Sequence, residues 1–155
     1  MSAPVKDGSG ERWLFTVAAA LLEQGRVLDG VSRPLTVVAL ALLLVLPGMA
    51  GSPSAAVIAV VALVALVGCA EAYFALRVAF DAALFRRLAE DAAGRDLANL
   101  DDALGALGLV SAAKRGRPAT ERVAGARRLI TRQATMLLLQ ILLVLAGAVL
   151  ALRGG

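Results

Sequence analysis

Three stretches of the chain, at about residues 34–51, 55–78 and 133–152, are apolar almost without interruption. The segments around them instead mix apolar and charged positions at helical spacing. At 1.5 Å of rise per residue the first stretch is marginal for a hydrocarbon core of roughly 30 Å, and the other two span it comfortably. The pattern predicts an all-α integral membrane protein with three transmembrane helices.

Outside those spans the pattern predicts further helices. Residues 1–10 read as a flexible tail, and 11–32 as an amphipathic helix ending near Gly30, with Leu14, Val17, Leu21, Leu28 and Val31 on its apolar face. Trp13 and Phe15 suit the headgroup level. The same face suits packing on the protein's own helices, and both readings stay open. Pro34 fits the first turn of a new helix, so the amphipathic helix and span one are expected to be separate. After Ser52, Pro53 and Ser54 the second run continues to about residue 93, some 58 Å of helix, so its second half must leave the membrane. That half keeps an apolar stripe at Val78, Leu84, Phe85 and Leu88. A shorter helix is expected over 96–110, with Asp96 as cap and Leu97, Leu100, Leu104 and Leu107 as its stripe. A last helix begins near Ala119 and runs into span three. Spans two and three are thus expected to extend, through the 79–132 segment, into an antiparallel hairpin.

Charge orients this arrangement. Of the sixteen Lys and Arg residues, fifteen lie on one side of the spans and only Arg153 lies on the other, while the turn between spans one and two carries no charge. By the positive-inside rule the amino terminus and 79–132 are cytoplasmic and the carboxyl terminus is outside, as a multi-pass protein of the cell inner (plasma) membrane. Residues 1–33 balance four bases with four acids, whereas 77–132 hold eleven bases and seven acids. The excess sits beside the cytoplasmic leaflet, which makes anionic headgroups the expected lipid partner.

Composition narrows the chemistry. A 155-residue chain that is 59% hydrophobic, with mean hydropathy +0.79, is too apolar for an ordinary soluble domain. There is no histidine, which excludes imidazole ligation and a histidine base. The one cysteine, Cys69, permits no intramolecular disulfide and reads as core. Asp101 and Asp102 are adjacent, a poor spacing for paired carboxylates. No nucleophile and base are recognisable together, so no catalytic, cofactor-binding or metal-ligating residue is assigned, and an enzyme is not expected.

Three groups of residues remain as candidates. Glu71, sixteen residues into span two, is expected to form a polar cluster with Arg77, Asp81 and Gln140 near the inner interface. That cluster would act as a register clamp against span three, with Arg127, Arg128 and Arg132 as alternative partners. Ala75, Ala79 and Ala83, at four-residue spacing, and Gly147 beside Ala146 offer smooth surfaces for helix packing. The loop residues Lys114, Arg115, Gly116, Arg117 and Pro118 (KRGRP) resemble the core of an AT-hook, in which an Arg-Gly-Arg turn enters the DNA minor groove. In a single juxtamembrane copy, Lys114, Arg115 and Arg117 are expected to contact anionic lipid, and nucleic acid is not an expected partner.

A substantial amphipathic part without site chemistry favours a non-catalytic subunit, scaffold or assembly factor of a membrane complex. The alternatives are a homo-oligomeric pore or channel of holin-like size, with Glu71 and Gln140 lining it, and an adaptor that binds anionic lipid. Expected protein partners are further copies of the chain or other membrane subunits. The alanine and arginine bias suits a bacterial genome of high GC content.

Overall fold

The computed structural model describes residues 8–48, 54–90, 97–108 and 116–154. They form five helices: α1 (Gly8–Glu23), α2 (Gly25–Val45), α3 (Ala55–Glu90), α4 (Leu97–Ala106) and α5 (Ala119–Gly154). A single 3₁₀ turn, Leu46–Gly48, closes α2. No strand occurs among the described residues. Three helical stretches are long and apolar enough to cross a membrane: Gly10–Gly48, which joins α1 to α2, and the stretches of α3 and α5.

The frame is the pair α3 and α5, each 36 residues and therefore about 54 Å long. They run antiparallel, since Gln133 meets Glu71 while Gln140, further along α5, meets the earlier Val64. α2 lies against the first, apolar half of α3, and α1 against its second, charged half. Ser54 starts α3, its hydroxyl accepting from the Val57 amide at 3.4 Å. On α3 the inward positions are Val64, Ala65, Gly68, Glu71, Ala75, Val78, Ala82, Phe85 and Leu88. From Ala65 onward, steps of three and four residues place one continuous seam along the helix, against which the other long helices pack.

Two apolar clusters flank that seam. At the apolar end Ala39, Val64 and Ala65 form a small core with Leu43, Val60, Val61 and Leu143 against it. At the charged end Phe15, Ala18, Ala19, Leu22, Val78, Ala82, Phe85 and Leu88 join Ala119 and Ala126 of α5. Phe15 and Phe85 stack there with ring centroids 5.6 Å apart.

The sequence reading is corrected at several points. The break between α1 and α2 falls at Gln24, not between Gly30 and Pro34, and Pro34 lies inside α2. Pro34 lacks an amide hydrogen and so costs α2 one backbone bond, at the Gly30 carbonyl. The interruption is slight, since Gln24 keeps helical angles (φ −63°, ψ −21°), and the next residue, Gly25, seats closely against Gln133 and Val78.

The buried face of α1 is also rotated from the expected stripe. It consists of Phe15, Ala18, Ala19 and Leu22, while Val17 and, on α2, Val31 are exposed. The two alanines let α1 approach α3 closely enough for Phe15 to insert. Phe15 is therefore buried in protein rather than at headgroup level, and Trp13 alone remains exposed.

Gly68, Ala75 and Ala82, buried on α3, stand at heptad spacing, whereas Ala79 and Ala83 face outward. Cys69 is exposed on the outer wall of α3 instead of in the core. Leu107 is exposed too, and Leu97, Leu100 and Leu104 carry the contacts of α4. The turn 49–53, the cap Asp96 and the loop residues Lys114 and Arg115 lie outside the described residues.

Candidate functional site

The seam between α2, α3 and α5 is apolar except at two levels, where polar side chains are completely enclosed. Glu71, Gln133, Gln140 and Ser32 each have 0% of their surface exposed. Helix periodicity brings them together: Gly25 and Ser32 on α2 are seven residues apart, as are Gln133 and Gln140 on α5. The chain thus builds two polar stations, two helical turns apart, each bridging all three helices.

At the first station Gln140 is the hub. Its Oε1 accepts from the Ser32 hydroxyl at 2.7 Å, and its Nε2 donates to Thr36 Oγ1 at 3.0 Å. A longer contact of 3.5 Å joins the same Nε2 to the Val64 carbonyl. Gly68 makes room for this group. A Cβ there would overlap Thr36 Oγ1 and come within 2.6 Å of Gln140 Nε2.

At the second station Gln133 is the hub. Its Nε2 donates to the Gly25 carbonyl and to Glu71 Oε1, both at 2.8 Å. Gly25 is confined as well, less tightly than Gly68, since a Cβ would stand 2.8 Å from Gln133 Oε1 and from Val78 Cγ1. Two buried atoms of this station, Glu71 Oε2 and Gln133 Oε1, have no hydrogen-bond partner.

The expected cluster of Glu71, Arg77, Asp81 and Gln140 is thus divided. Glu71 ties α3 to α5, and Gln140 ties α5 to α2 and α3, at separate stations. Arg77 and Asp81 stand further along α3, in a cleft of about 320 Å³ that Phe80, Arg117, Glu121 and Arg122 also line. Burial there raises the Asp81 carboxyl above the usual aspartate range, and the Arg77 charge works in the opposite direction. Arg127, Arg128 and Arg132 form an exposed basic face on α5, together with Thr131. Gly147 touches span two: a Cβ on it would lie 3.2 Å from Val60 Cγ1.

The described part of the KRGRP loop is held by Asp101. Its Oδ2 accepts from the Gly116 amide at 2.7 Å, and both its oxygens accept from Arg122 Nη2 at 2.8 Å. Arg122 Nε also donates to the Arg117 carbonyl at 3.0 Å. Gly116 has a φ of 72°, a left-handed conformation that suits glycine. Asp101 therefore anchors α4 and the loop to α5, while Arg117 points its own side chain outward.

Sequence reasoning missed Gln133, Ser32, Thr36, Gly25, Gly68 and the role of Asp101. The available signal was the shared seven-residue spacing of polar and glycine positions within otherwise apolar helices. Among the described residues no three Cys, Asp or Glu side chains gather into a group able to hold a metal ion. No family model matches the chain, and no curated protein or solved structure matches it.

Proposed function

We propose that this chain is a multi-pass protein of a bacterial inner membrane that serves as a non-catalytic subunit or scaffold of a membrane complex. Its charged end and amino terminus lie in the cytoplasm, a topology supported by the distribution of fifteen of its sixteen bases. The observation that carries the reading is the direction of the polar side chains in the spans. Glu71, Gln133, Gln140, Ser32 and Thr36 spend their hydrogen bonds on one another and on backbone within one chain. A pore assembled from several copies needs such groups on its wall, and here the outward faces of the spans are apolar.

Recruitment then belongs to the charged end. Between α1 and α3 an open cleft of about 420 Å³ displays Arg12, Trp13, Thr16, Glu23, Arg86 and Glu90. An exposed aromatic ring between charges of both signs suits a polypeptide partner. The exposed face of Arg127, Arg128 and Arg132 supports contact with anionic headgroups at the start of span three, and this contact orients the cleft toward the cytoplasm.

Native mass spectrometry of the protein extracted from its own membrane in mild detergent tests this reading. A second polypeptide is expected, and Trp13→Ala is expected to weaken its retention. A ring of identical chains that conducts ions in liposomes would overturn the scaffold in favour of the pore.

A further inference from the structure

We propose that Glu71 and Gln133 form a proton-binding site, with one hydrogen held on Glu71 Oε2 and donated to Gln133 Oε1. The orientation of Gln133 is fixed first. Its amide nitrogen faces the Gly25 carbonyl and Glu71 Oε1, which both accept, so turning the amide over would set its oxygen against two acceptors. With the nitrogen so committed, Gln133 Oε1 is an acceptor without a donor, and Glu71 Oε2 is in the same condition.

A single proton on Oε2 converts one of these two orphans into the donor the other lacks. The carboxylic acid and the primary amide then bond reciprocally, N–H to Oε1 of Glu71 and O–H to Oε1 of Gln133. It also removes a full negative charge from a side chain with no exposed surface.

Among the described residues no cation forms an ion pair with Glu71, and Arg33, which lies within electrostatic reach of it, is committed to Asp29. Arg33 is ion-paired with Asp29 at 2.8 Å and is largely in solvent. On α2 Arg26, on α3 Arg77 and on α5 Arg132 are all exposed, and Glu23 of α1 pairs with Arg86. Among the described residues none of these makes an ion pair with Glu71.

Glu71→Gln supplies the test, because the substituted amide carries a donor where the proton sits and keeps the acceptor opposite Gln133 Nε2. Infrared spectra of the protein in lipid vesicles at neutral pH are expected to show a protonated carboxyl stretch that shifts in D₂O. The band should vanish in Glu71→Gln and persist in Asp81→Asn, and Glu71→Gln should melt within about 3 °C of the parent. Identical carboxyl regions in parent and Glu71→Gln would overturn the proposal. So would a melting temperature that rises with sodium at constant ionic strength in the parent but not in Glu71→Gln, because the ligand would then be a metal cation.

Discussion

The two halves of this bundle bury opposite kinds of side chain. Where α1 packs on the charged half of α3, the interior is Phe15, Leu22, Val78, Phe85 and Leu88. Where α2 and α5 pack on the apolar half, the fully enclosed side chains include Ser32, Glu71, Gln133 and Gln140. On the proposed topology, each half is fixed by the interaction its surroundings do not supply. In water the removal of apolar surface drives packing. In hydrocarbon the lipid tails are as apolar as leucine, so helices are set in place by close contact between small residues and by hydrogen bonds. Gly68 serves the second mode, and the Phe15–Phe85 pair serves the first. The change from one mode to the other falls along a single unbroken helix, α3.

Breaking the apolar half gives the largest expected effect. Phe85→Ala removes a side chain that is 3% exposed, at a cost of about 3–5 kcal/mol. Thermal unfolding in detergent should show the loss, and limited proteolysis should cut α1 first, because Phe15 loses its ring partner. Protection of α1 equal to that of the parent would show that the aromatic contact does not hold it.

The polar half should break less deeply and by another route. Gly68→Ala forces a methyl group onto Thr36 and Gln140, an overpacking that costs about 1–3 kcal/mol. Gln140→Leu keeps the bulk but leaves Ser32 and Thr36 without their partner, and membrane hydrogen bonds of this kind average about 0.6 kcal/mol with a ceiling near ~1.7. Both are read from unfolding in the same detergent. If Gln140→Leu proved as damaging as Phe85→Ala, the contrast between the halves would fail. If Gly68→Ala were silent, the close packing around the hub would not be a source of stability.

The spans, the long helices and their antiparallel pairing were legible because a long apolar run has few structural solutions. The boundaries and faces near α1 were less so. Pro34 is the strongest local breaker in that region, yet the helix is interrupted at Gln24, beside Gly25, which meets Gln133 from a helix 108 residues away. No local signal reports that contact. The stripe of Leu14, Val17 and Leu21 was the most apolar choice, but alanine won the interface because its size suits a close crossing with α3. Glu71 and Gln140 stood out as isolated polar residues, whereas Gln133 was not singled out as a site. Their true partners depended on the register of α5 against α3, which a shift of one turn would change. Asp101 looked inert beside Asp102, and only the fold brings it to Arg122 and Gly116.

The smallest effect expected is a slope, and it asks how far water reaches into the charged half. Asp81 sits in the cleft beside Arg77, and burial holds its carboxyl above the usual aspartate range while Arg77 opposes that rise. The folded protein therefore keeps this proton at pH values where the unfolded chain, with an ordinary value of 3.8, has released it. Stability from this group is fully present below that unfolded value and is lost as pH rises through the raised folded value. Melting temperatures of the parent minus those of Asp81→Asn should thus fall across the acid range and then level off. Arg77→Gln should carry the fall to higher pH by removing the opposing charge. Parallel curves for the parent and Asp81→Asn would mean that water enters the cleft freely enough to cancel the burial, and that the dry interior of this half ends at Phe85.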